Sequence, residues 1–159
     1  MNTYYTHISM AIKLNATAIL WLKAVLEEIY TNFLPGDYCA EDVVSRAAVA
    51  RLGLTLEEAG CLENLAKQDR FLLEKEQEPG VVYFTSHDVD IEAIAVLAQM
   101  LIKRFQLKPI GFCYAYTAEK FELDTFGGGA YWVTADEIDI IDAQNWLTER
   151  IESVETSAT

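Results

Sequence analysis

The stretch from Asp90 to Phe105 limits most tightly what this chain can fold into. Ile91, Ile94, Ala95, Ala98, Leu101, Ile102 and Phe105 recur at helical spacing, which predicts the longest and most hydrophobic helix of the chain, capped by Asp90. A helix this apolar has to be covered by another apolar layer. The neighbouring segments provide one. Val81-Val82-Tyr83-Phe84-Thr85 before it, and Ile110 to Thr117, Ala130 to Thr134 and Ile138 to Ile141 after it, are rich in β-branched and aromatic residues, as strands are. Phe71 to Glu76 reads either as the tail of a helix or as a strand. The turn residues Gln77-Glu78-Pro79-Gly80 favour a hairpin with Val81 to Thr85. From residue 70 the predicted order is β, β, α, β, β, β, α.

The first part of the chain reads differently. Residues 1 to 13 are polar and aromatic without a clear period, which predicts an arm or an edge strand. Ile19, Leu22, Leu26, Ile29 and Phe33 then follow at alternating spacings of three and four, giving a helix with Asn15 as its N-cap, stopped at Leu34-Pro35-Gly36-Asp37. An alanine-rich helix from Ala40 to Leu52 ends at Gly53. Thr55-Leu56-Glu57-Glu58 has the pattern of a capping box opening a third helix that runs to about Gln68. The expected fold is therefore α+β: a mostly antiparallel sheet of about four or five strands with helices packed on it and a helical N-terminal third. No linker divides it, so residues 1–159 are read as one domain, with 15–68 helical, 70–152 holding sheet and helices, and 153–159 a flexible tail.

Composition narrows the functional classes. With 25 acids against 12 bases the formal net charge is -13, which excludes direct nucleic-acid binding by a basic surface. Hydrophobic content of 52% and a mean hydropathy of +0.10 supply a core and argue against disorder. Cys39, Cys61 and Cys113 are odd in number and lack CxxC spacing, so a reducing, cytoplasmic setting is expected. Ala16 to Leu26 is too short for a bilayer, which needs about 20 apolar residues.

Candidate sites are few. Gly127-Gly128-Gly129 could form a ligand loop. Phosphate-binding glycines, however, open a helix, whereas these lead into a strand, so a bulge, turn or close backbone approach is the competing reading. His87, Asp88, Asp90 and Glu92 lack metal-site spacing, and no metal or cofactor is expected. Cys113 could pair with His87 as a nucleophile, although an inert thiol is commoner. The remaining candidates are aromatic and acidic. Tyr131 and Trp132 occupy opposite faces of one strand, and an open sheet face would leave one aromatic set for a partner. Residues 119–159 hold ten acids and only Lys120 and Arg150 as bases, a charge of -8. Asp136, Glu137, Asp139 and Asp142 beside Glu149 and Glu152 would create a field that steers a basic partner. A solvated face that maintains solubility is the alternative.

The segments Ile110-Gly111-Phe112, Ala115-Tyr116-Thr117, Phe126 to Ala130, Val133-Thr134-Ala135-Asp136 and Trp146-Leu147 resemble a group of small bacterial proteins often carried on phages and plasmids. The resemblance covers the last third of the chain. It implies a mobile-element origin and no catalytic residue. Accessory genes of that kind often encode inhibitors, some of them acidic imitators of nucleic acid. The sequence thus favours a non-enzymatic protein that binds a protein with a basic surface through Tyr131, Trp132, Asp136, Glu137, Asp139 and Asp142. The alternative is a small-molecule site or minor enzyme near Gly127, Gly128, Gly129 and Cys113. A homodimer through the open sheet face is a third expectation.

Overall fold

The computed structural model describes residues 3–32, 50–55, 57–60, 72–74, 80–86, 90–120 and 127–157. Six strands form one sheet: β1 (Tyr4–Lys13), β2 (Leu72–Glu74), β3 (Val81–Ser86), β4 (Ile110–Ala118), β5 (Gly127–Val133) and β6 (Ile138–Asp142). Their spatial order is β2-β3-β1-β4-β5-β6, and each neighbouring pair is antiparallel. Among the described residues three longer helices accompany it: α1 (Ala16–Asn32), α2 (Ile91–Phe105) and α3 (Ala143–Ser157). The α+β class is as the sequence predicts. Of the ambiguous segment Phe71 to Glu76, the described residues Leu72–Glu74 form a strand, since β2 pairs with β3.

Two expectations fail at the N-terminal end. The chain begins with a strand, so its first third is not uniformly helical. That strand is also no arm or edge: β1 lies inside the sheet, with Ile8 to Lys13 paired to β3 and Tyr4 to Ile8 paired to β4. The reason is visible in its second half, where Ile8, Met10 and Ile12 are buried and alternate with exposed Ser9, Ala11 and Lys13, the period of a half-buried strand. With β1 and β2 included, the sheet has six strands rather than about four or five.

The sheet buries one face. Ile8, Met10, Ile12, Val82, Phe112, Tyr114, Tyr131 and Val133 form one cluster with Leu22 and Val25 of α1 and Ile94, Leu97 and Leu101 of α2. Nine of the fifteen residues of α2 are buried, as its wide apolar surface requires. Asp90 caps this helix by accepting from the Ala93 amide at 3.2 Å, and Asn15 does the same for α1 through the Ala18 amide at 2.8 Å. The capping box also forms: the Glu58 amide donates to Thr55 Oγ1 and the Thr55 amide donates to Glu58 Oε2. Of the predicted Ala40 to Leu52 helix, residues 40–49 lie outside the described residues. Its end is observed, with Gly53 in the left-handed region at φ 70° and its amide bonded to the Ala50 carbonyl. Cys39, Cys61 and His87 also lie outside the described residues.

Candidate partner-binding surface

Strand register decides which candidate residues can meet anything outside the chain. Side chains alternate between the two faces, so Phe112, Tyr114 and Tyr116 share the helix-bearing face while Gly111, Cys113 and Ala115 share the other. In β5, Tyr131 falls on the first face and Trp132 on the second. Tyr131 is buried, with its ring stacked on Phe112 at 5.1 Å between centroids and edge-on to Tyr114 at 5.4 Å. It is therefore a core residue and offers no side chain to a partner. Trp132 is 51% exposed, opposite Gly111 of β4 and Asp139 of β6. Its indole lies across Gly111, where a Cβ would stand 3.0 Å from the ring.

The acids divide as well. Asp136 and Glu137 sit in the tight turn between β5 and β6, both exposed. Thr134 Oγ1 accepts from the amides of Asp136 at 3.2 Å and Glu137 at 3.0 Å, which satisfies the turn backbone and leaves both carboxylates in solvent. Asp139 is exposed on the open face beside Trp132. Asp142 is engaged within the chain: Oδ2 accepts from the Tyr114 hydroxyl at 3.0 Å, and Oδ1 accepts from the amides of Gln144 and Asn145 at 3.1 and 3.0 Å, capping α3. Trp132, Asp136, Glu137 and Asp139 thus lie on the surface, and Tyr131 and Asp142 turn inward.

Gly127, Gly128 and Gly129 form neither a loop nor a bulge. They are the first residues of β5, paired with Tyr116, Ala115 and Tyr114. Tyr114, Gly129 and Asp142 make a row across three strands, and the absent side chain at Gly129 lets the Tyr114 ring run along the sheet to Asp142. A Cβ at Gly129 would collide with the Ile141 carbonyl oxygen and stand 2.8 Å from the Tyr114 hydroxyl. Close approach therefore accounts for the glycines. Cys113 is exposed on the open face, opposite Ala130, which in turn faces Ile141. A concavity of about 490 Å3 spans these rows, lined by Cys113, Ala130, Trp132, Asp139 and Ile141 among others, and none of the three glycines contributes to it. This concavity thus holds Cys113 without the glycine run.

Burial, reinforced by Asp142, pushes the Tyr114 hydroxyl well above the ordinary tyrosine value of 10.0. Burial also raises Tyr116 and Tyr131, with Asp142 adding to the first and Glu92 to the second. The folded chain holds the Tyr114 proton more tightly than the unfolded chain does. This stabilisation is complete below the ordinary value and is lost as pH rises beyond it. Tyr114→Phe is expected to cost about 1 kcal/mol at neutral pH, since half-buried Asp142 regains water when the phenol is removed. The variant should also lose less stability than the wild type between about pH 9 and about pH 11. Denaturant midpoints across that range check both, and parallel profiles would contradict the assignment.

Further apolar residues are exposed that the sequence expectation does not include. Ile140 and Ile141 of β6 are both exposed, as are Trp146, Leu147, Ile151 and Val154 of α3. The signal was present in Leu147, Ile151 and Val154, spaced four and three apart. It was lost because residues 153–157 read as a polar tail, whereas α3 continues to Ser157. Comparison with protein-family models, curated proteins and solved structures finds no match to this chain.

Proposed function

We propose that this chain is a non-enzymatic acidic protein that binds another macromolecule bearing a basic surface. In its sharper form it is an inhibitor, of mobile-element origin, that occupies a surface its target otherwise uses for nucleic acid. The observation that supports this most is the grouping of Asp136, Glu137 and Asp139 on one turn and edge strand, all solvent-exposed, beside a half-exposed Trp132. Glu149, Glu152 and Glu155 of α3 are also exposed and continue the negative field. Such a field accelerates encounter with a basic surface and fixes orientation more than it adds affinity.

Charge reversal at Asp136, Glu137 and Asp139 to lysine tests this. These side chains make no buried contact, so folding should be unaffected. Capture of a partner from host lysate should fall at least about tenfold and lose most of its salt dependence. A partner captured equally by both forms at low and high salt would overturn the reading.

A further inference from the structure

β6 is the outermost strand on its side of the sheet, so one of its edges has no strand beside it. Which backbone groups face outward follows from the turn before it. The Thr134 amide donates to the Glu137 carbonyl at 2.9 Å, which makes these two a hydrogen-bonded pair. In an antiparallel ladder such pairs recur at every second residue, so Trp132 with Asp139 and Ala130 with Ile141 are the next ones. Ile138 and Ile140 alternate with them and point their amide and carbonyl groups away from β5. Among the described residues none is hydrogen-bonded to those groups.

The helix that follows leaves this edge open. α3 starts at Ala143, directly after β6, and its first turn lies back over β5, where the Gln144 side chain stands 3.5 Å from a Cβ placed on Gly127. None of its side chains is buried. Ile140 and Ile141 are 52% and 65% exposed. An exposed strand edge is a template for another strand.

The side chains of β6 and its turn select the kind of strand. Paired residues share a face, so Ile138 and Ile140 lie on the helix-bearing face with Val133 and Tyr131, and Asp139 lies on the open face with Trp132. The Trp132 indole leans over Gly111 of β4, away from β6, and Asp139 stays exposed. Asp136 and Glu137 prolong the negative charge past the end of the strand, and residues 134–142 contain no base. A second copy is a poor occupant, because it would bring its own acids, from a chain of net charge -13, against these.

We propose that the partner binds as an extended segment of alternating apolar and basic residues, which adds to the outer edge of β6 antiparallel, like every other pair in the sheet. This deepens the partner-binding reading and rests on it. The apolar residues lie beside Ile138 and Ile140, and the basic ones beside Asp139 and Glu137. Asp139 takes a non-hydrogen-bonded position in the new ladder, where facing side chains approach most closely, so a lysine or arginine opposite it makes the tightest charge pair. Backbone bonds supply affinity, and the alternation supplies selection.

The probe is a short synthetic peptide in which valine and arginine alternate, followed by fluorescence anisotropy and by amide hydrogen exchange of the full chain. Binding should slow exchange of the Ile138 and Ile140 amides at least about tenfold and leave Asp139 and Ile141, already bonded to β5, unchanged. Methylating the peptide nitrogens that face β6 keeps every charge and should weaken binding at least about tenfold. Ile140→Pro removes the matching donor from the protein, a loss that an edge strand tolerates when the N–H points outward. No binding of the parent peptide at about 1 mM, a methylated peptide that binds as well as the parent, or binding that leaves Ile138 and Ile140 unprotected overturns strand addition. The underlying reading fails separately. If charge reversal at Asp136, Glu137 and Asp139 abolishes binding that methylation does not affect, the acidic surface stands and only the strand mode falls; if the reversed protein binds the parent peptide equally, the charge reading falls.

Discussion

Gly129→Ala should leave little folded protein, although it adds a single methyl group. Gly129 sits in the middle of three strands, between Tyr114 and Asp142. Its Cβ would be driven into the Ile141 carbonyl, which is backbone and cannot rotate away, and against the Tyr114 hydroxyl. Relief requires either β6 to move off β5 or Tyr114 to give up Asp142. The first breaks ladder hydrogen bonds and the second strands a buried phenol. A cost of about 3 kcal/mol or more is expected, a large part of the roughly 5–15 kcal/mol that holds a domain together. Gly60→Ala is the control. Nothing lies within 4 Å of a Cβ there, and the residue is helical, so alanine should be neutral or stabilise by up to about 1 kcal/mol. Thermal or urea midpoints followed by circular dichroism decide between them, and equal effects at the two glycines would contradict this packing.

Leu97→Ala carries the second large effect, and its origin is the opposite one. Leu97 of α2 is fully buried in the cluster that joins α1, α2 and the sheet. Replacing its isobutyl side chain by methyl loses transfer free energy and leaves a cavity that neighbours packed on every side can only partly fill. About 2–5 kcal/mol should be lost, with a lower denaturant midpoint and an unchanged slope. Leu20→Ala on α1 removes the same atoms from a residue 68% exposed and should change stability by less than about 0.5 kcal/mol. A small effect at Leu97 would mean that α2 is not the centre of the core.

What could be read in the sequence follows from how local each signal is. The caps at Asn15 and Asp90, the Thr55 and Glu58 box and the apolar face of α2 depend on residues a few positions apart, and all are where the sequence puts them. The strands β3 to β6 announced themselves by β-branched and aromatic runs between turn residues. The inward turn of Tyr131 was not legible, because it depends on which of two faces the helices cover, and both faces of β5 carry an aromatic residue. Asp142 was counted with the surface acids because its engagement needs Tyr114 from another strand. Glycine at 127–129 was recognised as unusual, but its cause lies in Tyr114, Tyr116 and Ile141, residues brought near only by pairing. The exposed stripe of α3 had a visible period and was hidden by its polar surroundings.

The position of β1 has a consequence for the order in which the sheet can assemble. β3 and β4 are not paired with each other; β1 lies between them, with Lys13 against Val81 and Tyr4 against Ala118. Without it the sheet is two fragments, the β2 and β3 hairpin and the β4, β5 and β6 meander, each joined by short local connections. During synthesis β1 must wait for residues as far away as Ala118 before its second edge is satisfied. Pairings of such long sequence separation form late and slowly, so the meander should gather first and β1 should close the sheet last. Until then its alternating Ile8, Met10 and Ile12 remain an unsatisfied strand on the nascent chain.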